Sequence, residues 1–150
     1  MKRIQSVKSK WFVIGLVAAA MTIFTAVNAM SAQSMGMNKM APPADPYKKV
    51  SALVALPDFI PGLGTLYVDP TTLPAGPFLA YDRNGYLVST VYMVPLKDIN
   101  NYKEFKNLKA AGGDVDHVDI YYNAGHPGVQ EPHYHIVLWY ISPDAAAALK

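Results

Sequence analysis

The chain of 150 residues contains no cysteine. No disulfide staples the fold, and no thiolate can serve as a nucleophile or a soft metal ligand. Charge is also sparse, with 16% charged against 51% apolar side chains. Much of the positive charge sits at the start, where Lys2, Arg3, Lys8 and Lys10 precede a seventeen-residue uncharged run over 11–27 and the small, polar residues Asn28 to Gln33. A basic start, an apolar middle and small residues at a cut site make a secretory signal peptide over 1–29, with Val27 and Ala29 placed for cleavage after Ala29. A second cut after Ala32 is less favoured. Seventeen residues is at the short limit of the ~17–25 needed for a membrane span. The leader is therefore read as cleaved, leaving an exported, periplasmic or extracellular protein with no membrane attachment.

Without the four leader cations, the thirteen basic residues fall to nine against eleven acidic ones, a net charge of −2. No basic patch survives to neutralise phosphates, which argues against nucleic acid as a partner. The sequence also has no phosphate loop, dinucleotide fingerprint, C-x-x-C or Ser-His-Asp order. Nucleotide enzymes, thiol oxidoreductases and triad hydrolases have no support. Ten Tyr, five Phe and two Trp can build one core without covalent help.

Residues 30–48, with three prolines and no helical or strand period, read as a flexible Met- and Pro-rich arm. A single globular domain follows over 49–150. A short helix is expected around 47–55, closed by Pro57, then a turn at 61–64 and a strand over 64–68. Runs at 78–81 and 86–94 flank Asp82-Arg83-Asn84-Gly85, a strong hairpin signal. Asp98 is placed to cap a helix over 99–108, with Tyr102 and Phe105 inward. Strands over 115–122 and 133–141 and a helical turn begun by Ser142-Pro143 complete the pattern. The sum is an α+β, mainly β fold: an antiparallel sheet or small barrel-like domain with one or two short helices.

All four histidines, His117, His126, His133 and His135, lie within nineteen consecutive residues. Fold stability asks for no such clustering. His133 and His135 are two apart, so on a strand both point to one face. The even positions Val118, Ile120, Tyr122, Ile136 and Leu138 are apolar and read as the core side. Pairing even with even then puts His117, Asp119, His133 and His135 on one wall, with His126 and Glu131 reaching it from the connecting loop. Val137, Trp139 and Ile141 make that wall apolar farther along, as in a pocket that is polar at one end. The set expected to bind a metal is His133 and His135 with His117 or His126 or both, and Glu131 or Asp119 as ligand, orienting group or base. Hydrogen-bonded histidines without metal are the other reading of the same residues.

The stretch Val115-Asp116-His117-Val118-Asp119-Ile120, Gly125-His126-Pro127-Gly128 and Pro132-His133-Tyr134-His135 resembles the closing motif of a family of small exported bacterial proteins of unknown function, of the type found in Thermus. That resemblance covers about the last third of the chain. It implies an exported β-rich domain and a ring-like homo-oligomer, and no activity. The H-x-H pair is also similar to the first cupin motif, but the spacing from Gly128 is short by one and no glutamate follows His135.

Met35, Met37 and Met40 give M-x-M-x-x-M in the arm, a thioether pattern suited to Cu(I). Three functions remain. One is an exported copper- or zinc-binding protein for storage, buffering or transfer; another is a metal-dependent enzyme using the same pocket. The third is a non-catalytic module whose aromatics, Tyr67, Tyr81, Tyr92, Tyr121, Tyr134, Tyr140 and Trp139, form a core or a subunit interface.

Overall fold

A computed structural model describes residues 40–150. The leader, residues 30–39 of the arm, and with them Met35 and Met37, lie outside the described residues. Six strands form one antiparallel sheet: β1 (Lys48–Lys49), β2 (Thr65–Val68), β3 (Phe78–Tyr81), β4 (Leu87–Pro95), β5 (His117–Asn123) and β6 (His133–Trp139). They lie in the order β1-β2-β3-β4-β6-β5. The sheet is open, with β1 and β5 as edges, so the barrel-like alternative gives way to a mainly β open sheet. The described residues also hold two short helices, α1 (Leu96–Asn100) and α2 (Pro143–Ala147), and two 3-10 turns. No helix among the described residues is long and apolar enough to cross a membrane.

β3 and β4 are buried along their whole length, as expected for runs rich in apolar and β-branched residues at the sheet centre. Register then fixes which side chains share a face. Val68, Phe78, Val91 and Val137 are successive cross-strand partners. They form one core with Ala80, Met93 and Trp139, covered by Val50, Leu63, Val129 and Ala146. Fully burying a side chain such as Val68 or Val137 contributes about 1.5–3 kcal/mol. On the opposite face Leu79, Tyr81 and Leu87 pack with Tyr47, Tyr67 and Tyr140.

The even-with-even pairing of β5 and β6 is observed: His117 faces Trp139, Ile120 faces Ile136 and Tyr121 faces His135. The choice of core side was inverted. The odd face of β6 is the buried one, while Val118, Ile120 and Tyr122 are 51%, 65% and 54% exposed. The physical reason is coverage. On that side the segment before β5 covers β4, where the Tyr92 hydroxyl bonds the Lys109 backbone and Thr90 accepts from the Ala111 N–H. Edge strand β5 lies beyond that cover. Alternation reports polarity, but only topology decides which face is covered.

Local departures have equally local causes. Residues 47–55 form β1 and a 3-10 turn over Val50–Ala52 instead of an α-helix, because Lys49 is extended and pairs with Tyr67. The expected 99–108 helix is the one-turn α1, which starts earlier, at Leu96. Asp98 lies inside it and holds Lys103 at 2.8 Å rather than capping it. The turn ends as Tyr102 enters the left-handed region at φ 56° and points outward, 91% exposed, so it does not face the core. In the β3–β4 turn only Gly85 is left-handed. Asp82 accepts the Asn84 and Tyr86 N–H groups, and a bulge between Ala80 and Tyr81 absorbs the mismatch. Ser142 accepts the Ala145 N–H and starts α2 as expected. Residues 40–48, assigned by composition to the arm, are tied to the domain: Met40 bridges Tyr86, the Ala41 N–H bonds Gly85 O at 2.8 Å, and Lys48 pairs with Val68.

Candidate metal centre

β6 supplies two of the centre's imidazoles. His133 is fully buried and His135 nearly so, on the inward face, where Met93 and Tyr121 flank His135 and Pro95 and Asn123 flank His133. The β5–β6 loop supplies the third. Asn123 Oδ1 accepts the Gly125 N–H at 2.8 Å, and reciprocal backbone bonds between His126 and Val129 close a tight turn through Pro127 and Gly128. Gly125 at φ 129° and Gly128 at φ 89° hold backbone conformations that side chains resist. The turn folds His126 over the strand, with its ring centroid 4.9 Å from that of His133 and 5.7 Å from that of His135. One ligand atom from each of the three histidines lies within 4.8 Å of the others, so the triad can hold a metal ion.

The hydrogen bonds assign the ring nitrogens. Backbone carbonyls only accept, so His133 Nδ1 donates to Glu131 O at 2.7 Å and His126 Nδ1 donates to Pro127 O at 3.0 Å. Both rings therefore keep a lone pair on Nε2. His133 Nε2 lies 3.0 Å from His135 Nε2, and His135 Nδ1 lies 3.1 Å from the Tyr121 hydroxyl. Without metal, His135 Nε2–H donates to His133 and Tyr121 donates to His135. His135 would hold a metal through Nε2 only with its proton on Nδ1, where the Tyr121 hydroxyl could accept it. Two nitrogens on one tetrahedral ion at ~2.0–2.1 Å are about 3.3 Å apart, close to the 3.0 Å between the two Nε2 atoms.

Burial is the main force that pushes the His135 pKa down to about 4, and the nearby His133 and His126 add to it. The ring is neutral at pH 7, as a metal ligand must be. Burial likewise raises the Tyr121 phenol, so it stays protonated.

The structure separates the other sequence candidates from this triad. His117 shares the histidines' face but pairs with Trp139, six residues from the Asn123–His133 pair, which is about 20 Å along the strand. It bonds Asp116 at 3.0 Å and stacks on Trp139. Parity placed it on the correct face and at the wrong end. Asp119 accepts the Trp139 indole N–H at 2.8 Å. The Glu131 carboxylate pairs with Lys97 at 2.6 Å, so Glu131 serves the site through its backbone carbonyl, which orients His133. Met40 is fixed at its bridge to Tyr86. Tyr121, read only as a core or interface aromatic, is the residue the sequence missed. The parity that aligned β5 with β6 puts it on the face of His135, which was the available signal, and the register sets it opposite that ring.

A cavity of about 340 Å³ opens beside His126 and His135, with Val54, Leu63, Leu66, Phe78, Val91 and Met93 in its wall. His133, fully buried, does not line it.

Two changes near the triad have defined outcomes. A Cβ on Gly125 would sit 2.6 Å from Gln130 O, so Gly125→Ala must reshape the turn that carries His126. Metal affinity is expected to drop at least about tenfold, with Gly113→Ala, whose Cβ meets nothing within 4 Å, as the unaffected control. Tyr121→Phe removes the partner of His135 Nδ1 and is expected to weaken binding by roughly 10-fold. Calorimetric titration with Zn(II) reads both, and unchanged affinity in either variant contradicts that residue's role.

Comparison with known proteins finds kinship among solved structures. No protein-family model matches the chain, and no curated protein matches it. Among solved structures, that of the hypothetical protein TTHB210 from Thermus thermophilus is similar, with 51% sequence identity and a TM-score of 0.57; the match covers 63% of this chain and 92% of that one. The chain belongs to the family of this Thermus hypothetical protein.

Proposed function

We propose that the chain is an exported metal-binding protein that takes up zinc or copper on His126, His133 and His135 and stores, buffers or passes on the ion. Three converging imidazoles carry this reading, two of them buried and all with a ligand atom within 4.8 Å of the others. Two of the rings are oriented by backbone carbonyls, the arrangement that fixes a ligating histidine's tautomer. Export rests on the leader pattern over 1–29, and Met35, Met37 and Met40 remain a separate Cu(I) proposal on the arm.

A metal-dependent enzyme is the second reading, favoured by the cavity beside the triad. A hydrolytic mechanism needs a base near the ion. Neither proposed carboxylate supplies one, since Glu131 is held by Lys97 and Asp119 by Trp139. The balance goes to binding.

The test is elemental analysis of protein purified without chelator, followed by titration of the stripped protein with Zn(II), Cu(II) and Cu(I). One ion per chain with submicromolar affinity is the expected result. Absence of both bound metal and affinity overturns the reading.

A further inference from the structure

We infer that the cavity beside the triad binds a monocarboxylate with a short aliphatic tail, its tail in the apolar chamber and its carboxylate on the metal. This rests on the metal-binding reading above.

Among the described residues, the lining carries no Asp, Glu, Lys or Arg. Its polar groups are His126, His135, Tyr121 and Asn123, and strand register brings them together: Tyr121 faces His135, and Asn123 lies one inward-facing position beyond Tyr121, opposite His133. The rest is aliphatic or aromatic apart from backbone. A chamber that is apolar over most of its wall and polar at one end suits an amphiphile with one head group. His126 and His135 line the wall and the buried His133 does not, so an ion held by all three would be reached from the chamber on the side of those two rings.

Charge decides the head group. Three neutral imidazoles around a divalent ion leave two positive charges uncompensated in an uncharged, largely apolar wall, which is costly. An external anion on the ion offsets that cost, whereas a cationic head would add to it. Asn123 Oδ1 is engaged by Gly125, which leaves its amide nitrogen as a donor for the second carboxylate oxygen. Volume decides the tail. About 340 Å³ leaves room for a short aliphatic tail such as that of octanoate.

The experiment uses the full chain, stripped and then loaded with Zn(II), titrated calorimetrically with octanoate, acetate and octan-1-ol; a Co(II)-loaded sample reports coordination through its visible spectrum. Octanoate is expected to bind the Zn(II) form at least tenfold more tightly than the metal-free form and at least tenfold more tightly than acetate, and to shift the Co(II) spectrum. Leu66→Trp, which fills the chamber away from the triad, should lose octanoate binding at least tenfold with Zn(II) affinity unchanged. If Zn(II) binds but octanoate binds no better than acetate, or binds equally without metal, or octan-1-ol matches it, the inference fails and the metal site stands. If Zn(II) itself does not bind, the reading of the site fails, and this inference with it.

Discussion

Replacing His133 and His135 together with alanine is expected to lower affinity for Zn(II) and Cu(II) by at least about 10³-fold, to a level no higher than that of scattered surface groups. Structural zinc sites of four ligands bind with about 10–16 kcal/mol, so each ligand accounts for roughly 3 kcal/mol, and removing two of three leaves His126 alone. His133 is the more telling of the pair. It is fully buried, and Glu131 O fixes its orientation, so it has one geometry in which to bind. Its removal also opens a void beside His126 and His135. The His133→Gln, His135→Gln pair keeps most of the volume and separates lost ligation from lost packing. His117→Ala provides the contrast. That ring is held by Asp116 and Trp139 at the far end of the β5–β6 pair, and its loss should leave affinity unchanged. Titration calorimetry on chelator-stripped protein reads each of these variants. Full affinity in the double alanine variant sinks the assignment, and a large loss in His117→Ala moves the site to the other end of the strand pair.

That contrast shows how far the sequence reaches. His-x-His on a strand places two imidazoles on one face from period alone, and the matched parity of β5 and β6 was also readable, because alternation along each strand is local. Position along the strands was not readable. Pairing even with even admits registers two residues apart, and only the closed turn from Asn123 to Val129 sets Asn123 opposite His133 and so carries His117 away. Which face is buried was unreadable for another reason. Val118, Ile120 and Tyr122 carry the same apolar signal as a covered face, and what distinguishes them is that no described segment packs over that face of edge strand β5. His126 joins the triad through two left-handed glycines and a backbone clamp, and no periodicity encodes these. The helix expected over 99–108 failed at Tyr102, where a left-handed residue breaks a pattern that is otherwise amphipathic.

Acid should both destabilise the metal-free protein and strip the ion from the loaded one, and His135 is the group that links the two. In the folded chain its pKa is lowered to about 4, chiefly by burial and then by its neighbours His133 and His126, against about 6.5 when unfolded. Between those values the unfolded chain binds the extra proton, so stability falls as the pH drops from about 6.5 to about 4 and is level on this account above 6.5. At about 1.4 kcal/mol for each pKa unit, the full effect is about 3 kcal/mol, reduced to about 2–3 kcal/mol by the cavity that borders the ring. Urea unfolding of the metal-free protein at pH 7.5, 6 and 5 checks this. The midpoint should fall steadily in the unmodified chain, and the fall should be clearly shallower in His135→Gln. With zinc bound the fall should steepen, because each Nε2 that takes a proton can no longer hold the ion, and release should be complete before pH 4. An acid slope that survives unchanged in His135→Gln assigns the destabilisation to other groups and removes the link between burial of this ring and its readiness to bind metal at neutral pH.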